Sequence, residues 1–279
     1  MYNLRNIIRK RFCTTKTSES ILSKPLGKAH NIIGWYLNTP KNRNALSKSL
    51  IESIKKNIDY VNTNESIRAV ILMSNSPGYF CAGADLKERQ SMNELETEQF
   101  VMTLRKTFQQ LDELKVPSIC LIDGFALGGG LELAMACDMR IVTKSSVLGL
   151  TECSLGIIPG AGGTQRLPRL VGISKAKELI YTAERLNAEQ ALNIGLVNTL
   201  VEKYEDLEAK GIEIAEKIVK NAPLSVINAK KAINHGYGYD IKTGLDIESL
   251  CYSQILRTED RIEGLKAFLE KRTPNYKGK

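Results

Sequence analysis

The sequence predicts an α/β fold of stacked strand–strand–helix turns, finished by a helical C-terminal region. Three observations carry this. Short apolar runs at residues 68–74 (RAVILMS), 118–122 (SICLI), 137–142 (CDMRIV) and 147–150 (VLGL) have the length and composition of strands, and helical stretches recur between them at similar spacing. That succession argues for stacked ββα units rather than a regular Rossmann sheet. Beyond residue 201 the pattern turns wholly helical and amphipathic. Three segments follow: a leader at residues 1–25, a core at 26–200, and a helical region at 201–279.

Composition narrows the class. With 279 residues, the chain can bury a substantial core without disulfides. No apolar run approaches the roughly 20 residues needed to span a bilayer. Cys13, Cys81, Cys120, Cys137, Cys153 and Cys251 are scattered without a CxxC pair, so they read as reduced thiols rather than a zinc site. His30 and His235 are the only histidines, too few for a His-rich metal site. The net charge of +8 invites a nucleic-acid reading, but Arg5, Arg9, Lys10, Arg11 and Lys16 supply five of those charges, with no acid before Glu19. That opening has the signature of a mitochondrial transit peptide. Without it the charge falls to about +3, which needs no polyanion partner.

The elements follow in order. Residues 31–38 (NIIGWYLN) form a strand that stops at Thr39-Pro40. Ser47 caps a helix whose Leu50, Ile51, Ile54, Ile58 and Val61 recur on one face. After the strand at 68–74, Asn75-Ser76-Pro77-Gly78 makes a turn, and residues 80–85 (FCAGAD) make a tight strand-to-helix corner where Asp85 caps a short helix. Helix 96–114 buries Phe100, Leu104, Phe108 and Leu111. Pro117 separates it from strand 118–122. Helices are expected at 164–171, 174–182 and 188–192, then at 205–220, 223–234, 239–255 and 258–270.

One stretch carries chemistry. Gly128-Gly129-Gly130 runs straight into a helix containing Glu132, and Glu152 follows 20 positions later. Glycines ahead of a helix let the backbone approach a ligand, and first-turn N–H groups point at its negative charge. Two carboxylates brought together would form an acid/base pair around one reacting group. No third spaced glycine makes a dinucleotide fingerprint, and no Lys-Ser or Lys-Thr makes a P-loop. On residue types alone, the glycines serve equally well for close packing, with Glu132 on a solvated helix face. The second cluster, residues 159–163 (PGAGG), reads by itself as a turn.

IDGFALGGGLELAMACD followed by TECSLGIIPGAGGTQRLPR closely resembles the enoyl-CoA hydratase (crotonase) superfamily. So do LNTPKNRNALS, FCAGADLKE and EGLKAFLEKRTP, in the family's order, from about residue 30 to the end. The resemblance implies a spiral of ββα units whose C-terminal helices build a homotrimer or a dimer of trimers. It implies syn hydration of an enoyl-CoA thioester, with Glu132 and Glu152 catalytic and Ala84 and Gly129 supplying oxyanion-hole amides. In its usual assignment Glu152 transfers the α-carbon proton and Glu132 orients or activates the water. The implied CoA-binding set is Lys41, Ala82, Ala84, Asp85, Leu86, Lys87, Gly129 and Lys271, with Phe268 against the adenine or pantetheine arm. No metal or redox cofactor is implied, since CoA belongs to the substrate. Isomerases of the superfamily usually keep one of the two glutamates, so both together favour hydration.

Within the superfamily, FCAGADLKER, GGGLELA and CYSQ with DRIEGLKAF look most like the mitochondrial methylglutaconyl-CoA hydratase branch and its enoyl-CoA hydratase domain-containing paralogues. That likeness implies a mitochondrial matrix enzyme of leucine breakdown, the alternative being a general short-chain hydratase of β-oxidation. A branched, carboxylate-ended substrate calls for a cation near the acyl pocket, because an unpaired buried carboxylate is costly. Arg89, Arg166 and Arg169 lie near the glycine corners. The branch also includes AU-rich RNA binding through a lysine-bearing helix. Here that helix keeps Lys48 and Lys56 but sets Glu52 four residues from each, which counts against RNA.

Overall fold

Strands of two sheets alternate along the chain in the computed structural model, which describes residues 19–279. The larger sheet runs β1 (Ile21–Leu26), β2 (Ile32–Leu37), β3 (Ala69–Ser74), β5 (Ser118–Ile122), β7 (Met139–Thr143) and β10 (Thr199–Val201). The smaller runs β4 (Tyr79–Cys81), β6 (Phe125–Leu127), β8 (Val147–Gly149) and β9 (Leu186–Asn187). Thus β3, β5 and β7 each pass through a turn into β4, β6 and β8, and helices then bring the chain back. These are the expected ββα units. All pairings are parallel except β1 with β2 and β8 with β9. Residues of β3 and β5 are buried on both faces, which is why they read as continuous apolar runs.

Helix α1 (Lys48–Thr63) starts where Ser47 Oγ accepts from Leu50 N at 3.3 Å. Its Leu50, Ile54, Ile58 and Val61 pack with Trp35, Leu72 and Ile122 on the inner face of the large sheet. Asp85 caps α2 (Leu86–Gln90), and α3 (Glu94–Asp112) opens on a capping box between Asn93 and Glu96. Further on come α4 (Gly129–Met135), α5 (Gly163–Val171), α6 (Ile173–Thr182) and α7 (Ala188–Asn193).

Three features add to the expected pattern. Residues 21–26 form β1, so a leader ending at residue 25 would cut into an edge strand; the rest of that leader, residues 1–18, lies outside the described residues. β1 is made by pairing with β2, which its own residues do not announce. The corner at 80–85 begins with β4, as a strand-to-helix corner requires, whereas β6 was not anticipated; it has three residues, too few to show a period. Finally, α8 (Tyr204–Val219) belongs to the core: its Leu207 and Ala215 pack on Ile71, Ile119, Leu121 and Ile141 of the outer sheet face. Core packing thus continues one helix past residue 200.

The chain ends in α9 (Pro223–Gly236), α10 (Ile241–Ser253) and α11 (Glu259–Leu269). One ion pair ties α9 to the core. Lys230 Nζ meets Asp138 Oδ2 at 2.8 Å, and the same oxygen accepts from Ser118 N at 2.7 Å and Ser118 Oγ at 3.0 Å. Removing one partner of a fully buried pair costs about 3–5 kcal/mol. Asp138 keeps its serine donors, so Lys230→Ala is expected to lower unfolding free energy by about 2 kcal/mol in a urea titration. A change below about 0.5 kcal/mol would show that the pair does not anchor α9.

Candidate active site

The glycine stretch turns from β6 into α4. Gly128 takes φ of +51°, which disfavours a side chain there, and a Cβ would crowd Glu152 Oε1 at 3.1 Å. Glu132 sits in the first turn of α4 and is 3% exposed, which settles the open question: it faces inward. Its Oε1 accepts from Ala161 N at 2.8 Å and Gly163 N at 2.7 Å. Burial raises the Glu132 pKa above the ordinary carboxylate range, and these two N–H groups offset part of the rise. The second glycine cluster is therefore more than a turn, since its amides hold the first carboxylate.

Glu152 opens a short 3-10 turn, Glu152–Leu155, and is 8% exposed. Its Oε2 is buried with no hydrogen-bond partner among the described residues. Burial first, and then the charge of Glu132, push the Glu152 carboxyl up to about 7. The two acids thus stand close enough to feel each other, and both line one cavity of about 1810 Å³. That volume exceeds the usual range of small-molecule pockets because the cavity runs on beneath α9 to Lys230 and Asn234.

Two backbone amides adjoin the acids. Leu46 N donates to Gly83 O at 2.8 Å, which sets residues 83–84 beside the start of α4. A Cβ on Gly129 would lie 3.9 Å from Ala84 N. Among the described residues, neither Ala84 N–H nor Gly129 N–H has an acceptor. Two uncommitted donors side by side can receive a developing oxyanion, and fixed backbone dipoles do so without reorganising. Buried Asn44 braces this corner by donating to Ser74 Oγ at 2.8 Å and Phe80 O at 3.1 Å. Its role was not anticipated, because one asparagine in a loop has no distinctive sequence signal.

The expected CoA residues divide. Ala82, Ala84 and Gly129 line the cavity; Lys41, Asp85, Lys87 and Lys271 do not. Asp85 is committed to capping the helix that Leu86 opens, and Asn42 Nδ2 donates to it at 3.1 Å. That bond brings the 3-10 turn carrying Lys41 next to the helix carrying Lys87, and both lysines are exposed. Lys271 lies just past the end of α11, and Phe268 on that helix is 83% exposed; neither lines the cavity. Of the arginine candidates, Arg166 is spent on Asp112 at 3.0 and 3.1 Å and Arg169 on Gln165, while Arg89 lines the cavity and its guanidinium makes no hydrogen bond among the described residues. Arg105, not anticipated, lines it too. On the candidate RNA helix, Glu52 stands 4.0 Å from Lys56 and Glu88 accepts from Lys48 N at 3.0 Å, setting two carboxylates among its lysines.

Comparison with known proteins identifies the family and the fold. The family model for enoyl-CoA hydratase/isomerase matches residues 27–279. The mitochondrial methylglutaconyl-CoA hydratase of Mus musculus is 46% identical over 245 residues, covering 87% of this chain and 78% of that protein. Enoyl-CoA hydratase domain-containing protein 2, mitochondrial, of the same organism is 44% identical over 269 residues, 95% of this chain and 91% of that one. The crystal structure of an enoyl-CoA hydratase from Bacillus anthracis superposes with a TM-score of 0.90 at 47% identity, covering 93% of this chain and all of that one.

Proposed function

The chain belongs to the enoyl-CoA hydratase/isomerase family as a hydro-lyase, and from that premise we propose that it hydrates 3-methylglutaconyl-CoA to 3-hydroxy-3-methylglutaryl-CoA in the mitochondrial matrix. The observation that carries the hydratase chemistry is the pair of acids, Glu132 and Glu152, facing one cavity beside two uncommitted amides. In this mechanism Ala84 N–H and Gly129 N–H receive the thioester oxygen and draw density toward it, which makes the β-carbon electrophilic. Glu132, held by Ala161 N–H and Gly163 N–H, orients the water and accepts its proton as it attacks the β-carbon. Glu152, raised to about 7, is half protonated near neutrality and delivers its proton to the α-carbon on the same face. The acids then exchange roles for the reverse dehydration. No resident cofactor enters these steps, and CoA remains part of the substrate.

The substrate and compartment rest on likeness to the relatives named mitochondrial methylglutaconyl-CoA hydratase. A homotrimer, or a dimer of trimers, is part of the same proposal. Ile241 (79% exposed) and Leu250 (67%) on α10 and Leu269 (81%) on α11 suit burial against a second copy. Among the described residues no helix is long and apolar enough to cross a membrane.

The test is a side-by-side kcat/KM for 3-methylglutaconyl-CoA and crotonyl-CoA, a ratio that reports differential transition-state binding. The methyl-branched, acid-ended ester is expected to lead. A preference of about tenfold or more for crotonyl-CoA, roughly 1.4 kcal/mol, would overturn the leucine-pathway reading and favour a general short-chain hydratase.

A further inference from the structure

Five arginines line the cavity, and most are already spent. Arg140 gives its guanidinium to the carbonyls of Leu196, Cys137 and Ala134 at 2.8, 2.7 and 3.4 Å. Arg166 grips Asp112, and Arg169 bonds Gln165. Arg105 differs. Only its Nε is used, donating to Gly160 O at 3.1 Å, and among the described residues no carboxylate forms an ion pair with it.

That single bond is informative. Gly160 C=O and Ala161 N–H belong to one peptide unit, so the peptide that anchors Arg105 on one side holds Glu132 Oε1 on the other, at 2.8 Å. Standard peptide dimensions then place Arg105 Nε within about 8 Å of the Glu132 carboxylate. The charge of Arg105 reaches Glu132 and helps to moderate its raised pKa. Val101 and Leu104 on the same helix, together with Ile157 and Ile158, give the cavity an apolar lining. A guanidinium fixed at Nε presents its two terminal amino groups as a ready fork for a carboxylate.

We propose that Arg105 is the specificity residue for acyl groups ending in a carboxylate, binding that carboxylate through its terminal amino groups beyond the β-carbon. The inference deepens the reading of the cavity as an enoyl-CoA site and rests on it. In 3-methylglutaconyl-CoA the acid lies two carbons past the carbon that the Glu132-held water attacks, a separation the anchored fork can span. A straight alkyl tail gives the fork nothing to bind.

Saturated esters test recognition without turnover. Binding of glutaryl-CoA and of butyryl-CoA is measured by calorimetry on the full chain, as wild type, Arg89→Gln, Arg105→Gln, Arg105→Lys and Lys106→Gln. Wild type is expected to bind glutaryl-CoA about tenfold or more tightly, as befits a charge-assisted hydrogen-bonded pair. R105Q erases the difference, R105K keeps part of it, and K106Q, which changes the neighbouring exposed cation, matches wild type. Absence of the preference in wild type, or its survival in R105Q, overturns the proposal. So does equal weakening of both esters in R105Q, which would make Arg105 only a support for the Gly160–Ala161 peptide. A preference erased by Arg89→Gln but kept by R105Q assigns the acid to Arg89 instead and likewise overturns it. The substrate reading fails separately: wild type that prefers glutaryl-CoA yet hydrates crotonyl-CoA far better than 3-methylglutaconyl-CoA loses that substrate and keeps Arg105.

Discussion

Glu152→Gln is expected to lower hydratase kcat by about 10²–10⁴-fold, the span typical of a positioned general acid or base, while CoA esters still bind. The carboxyl sits near its midpoint at about pH 7 because burial and the neighbouring Glu132 both resist its charge. Hydration needs its proton for the α-carbon, so wild-type hydration should decline above about pH 7, and dehydration, which needs the base, should decline below it. Stability carries the same signature. The folded pKa of about 7 stands above the ordinary 4.5, so the native state holds a proton that the unfolded chain releases. The resulting stability is full below pH 4.5 and is lost as pH rises through about 7. E152Q does not titrate, so its stability relative to wild type should grow across that window in denaturant titrations. A variant that hydrates crotonyl-CoA within threefold of wild type would sink the two-acid mechanism.

How much of this was legible depended on which atoms carry the signal. Side-chain periodicity exposed α1 and α3 through Leu50, Ile54 and Ile58 and through Phe100, Leu104 and Phe108. Ser47 and Asp85 announced their helix starts by capping chemistry. β1 stayed hidden because it is defined by pairing with its neighbour β2, and β6 because it is defined by pairing with β4 and β8, which lie far from it in the chain. In the site, Glu132 and Glu152 could be singled out as carboxylates, but their surroundings could not. The amides of Ala161 and Gly163 that hold Glu132 belong to a segment which, as sequence, is only a turn. Arg105 meets Gly160 across 55 residues of chain, and no local pattern predicts such a contact.

Gly130→Ala should damage both stability and turnover, for one geometric reason. A Cβ at residue 130 would stand 2.2 Å from Cys81 O and 2.9 Å from Cys81 C, and those backbone atoms cannot rotate aside as a side chain would. Relief requires α4 and β4 to part by about 1 Å, and overpacking of this kind costs about 1–3 kcal/mol. The functional loss follows from what each element carries. Gly129 N–H and Glu132 ride on α4, while Ala84 N–H follows β4 by three residues. Parting them pulls the two amides out of register, and misplacement by about 1 Å can cost about 10²-fold in rate. The expected result is a folded but destabilised enzyme whose kcat/KM falls about 10²-fold when assayed well below its melting temperature. Near-wild-type kcat/KM would show that the α4–β4 contact serves packing alone and that the amide pair tolerates the shift.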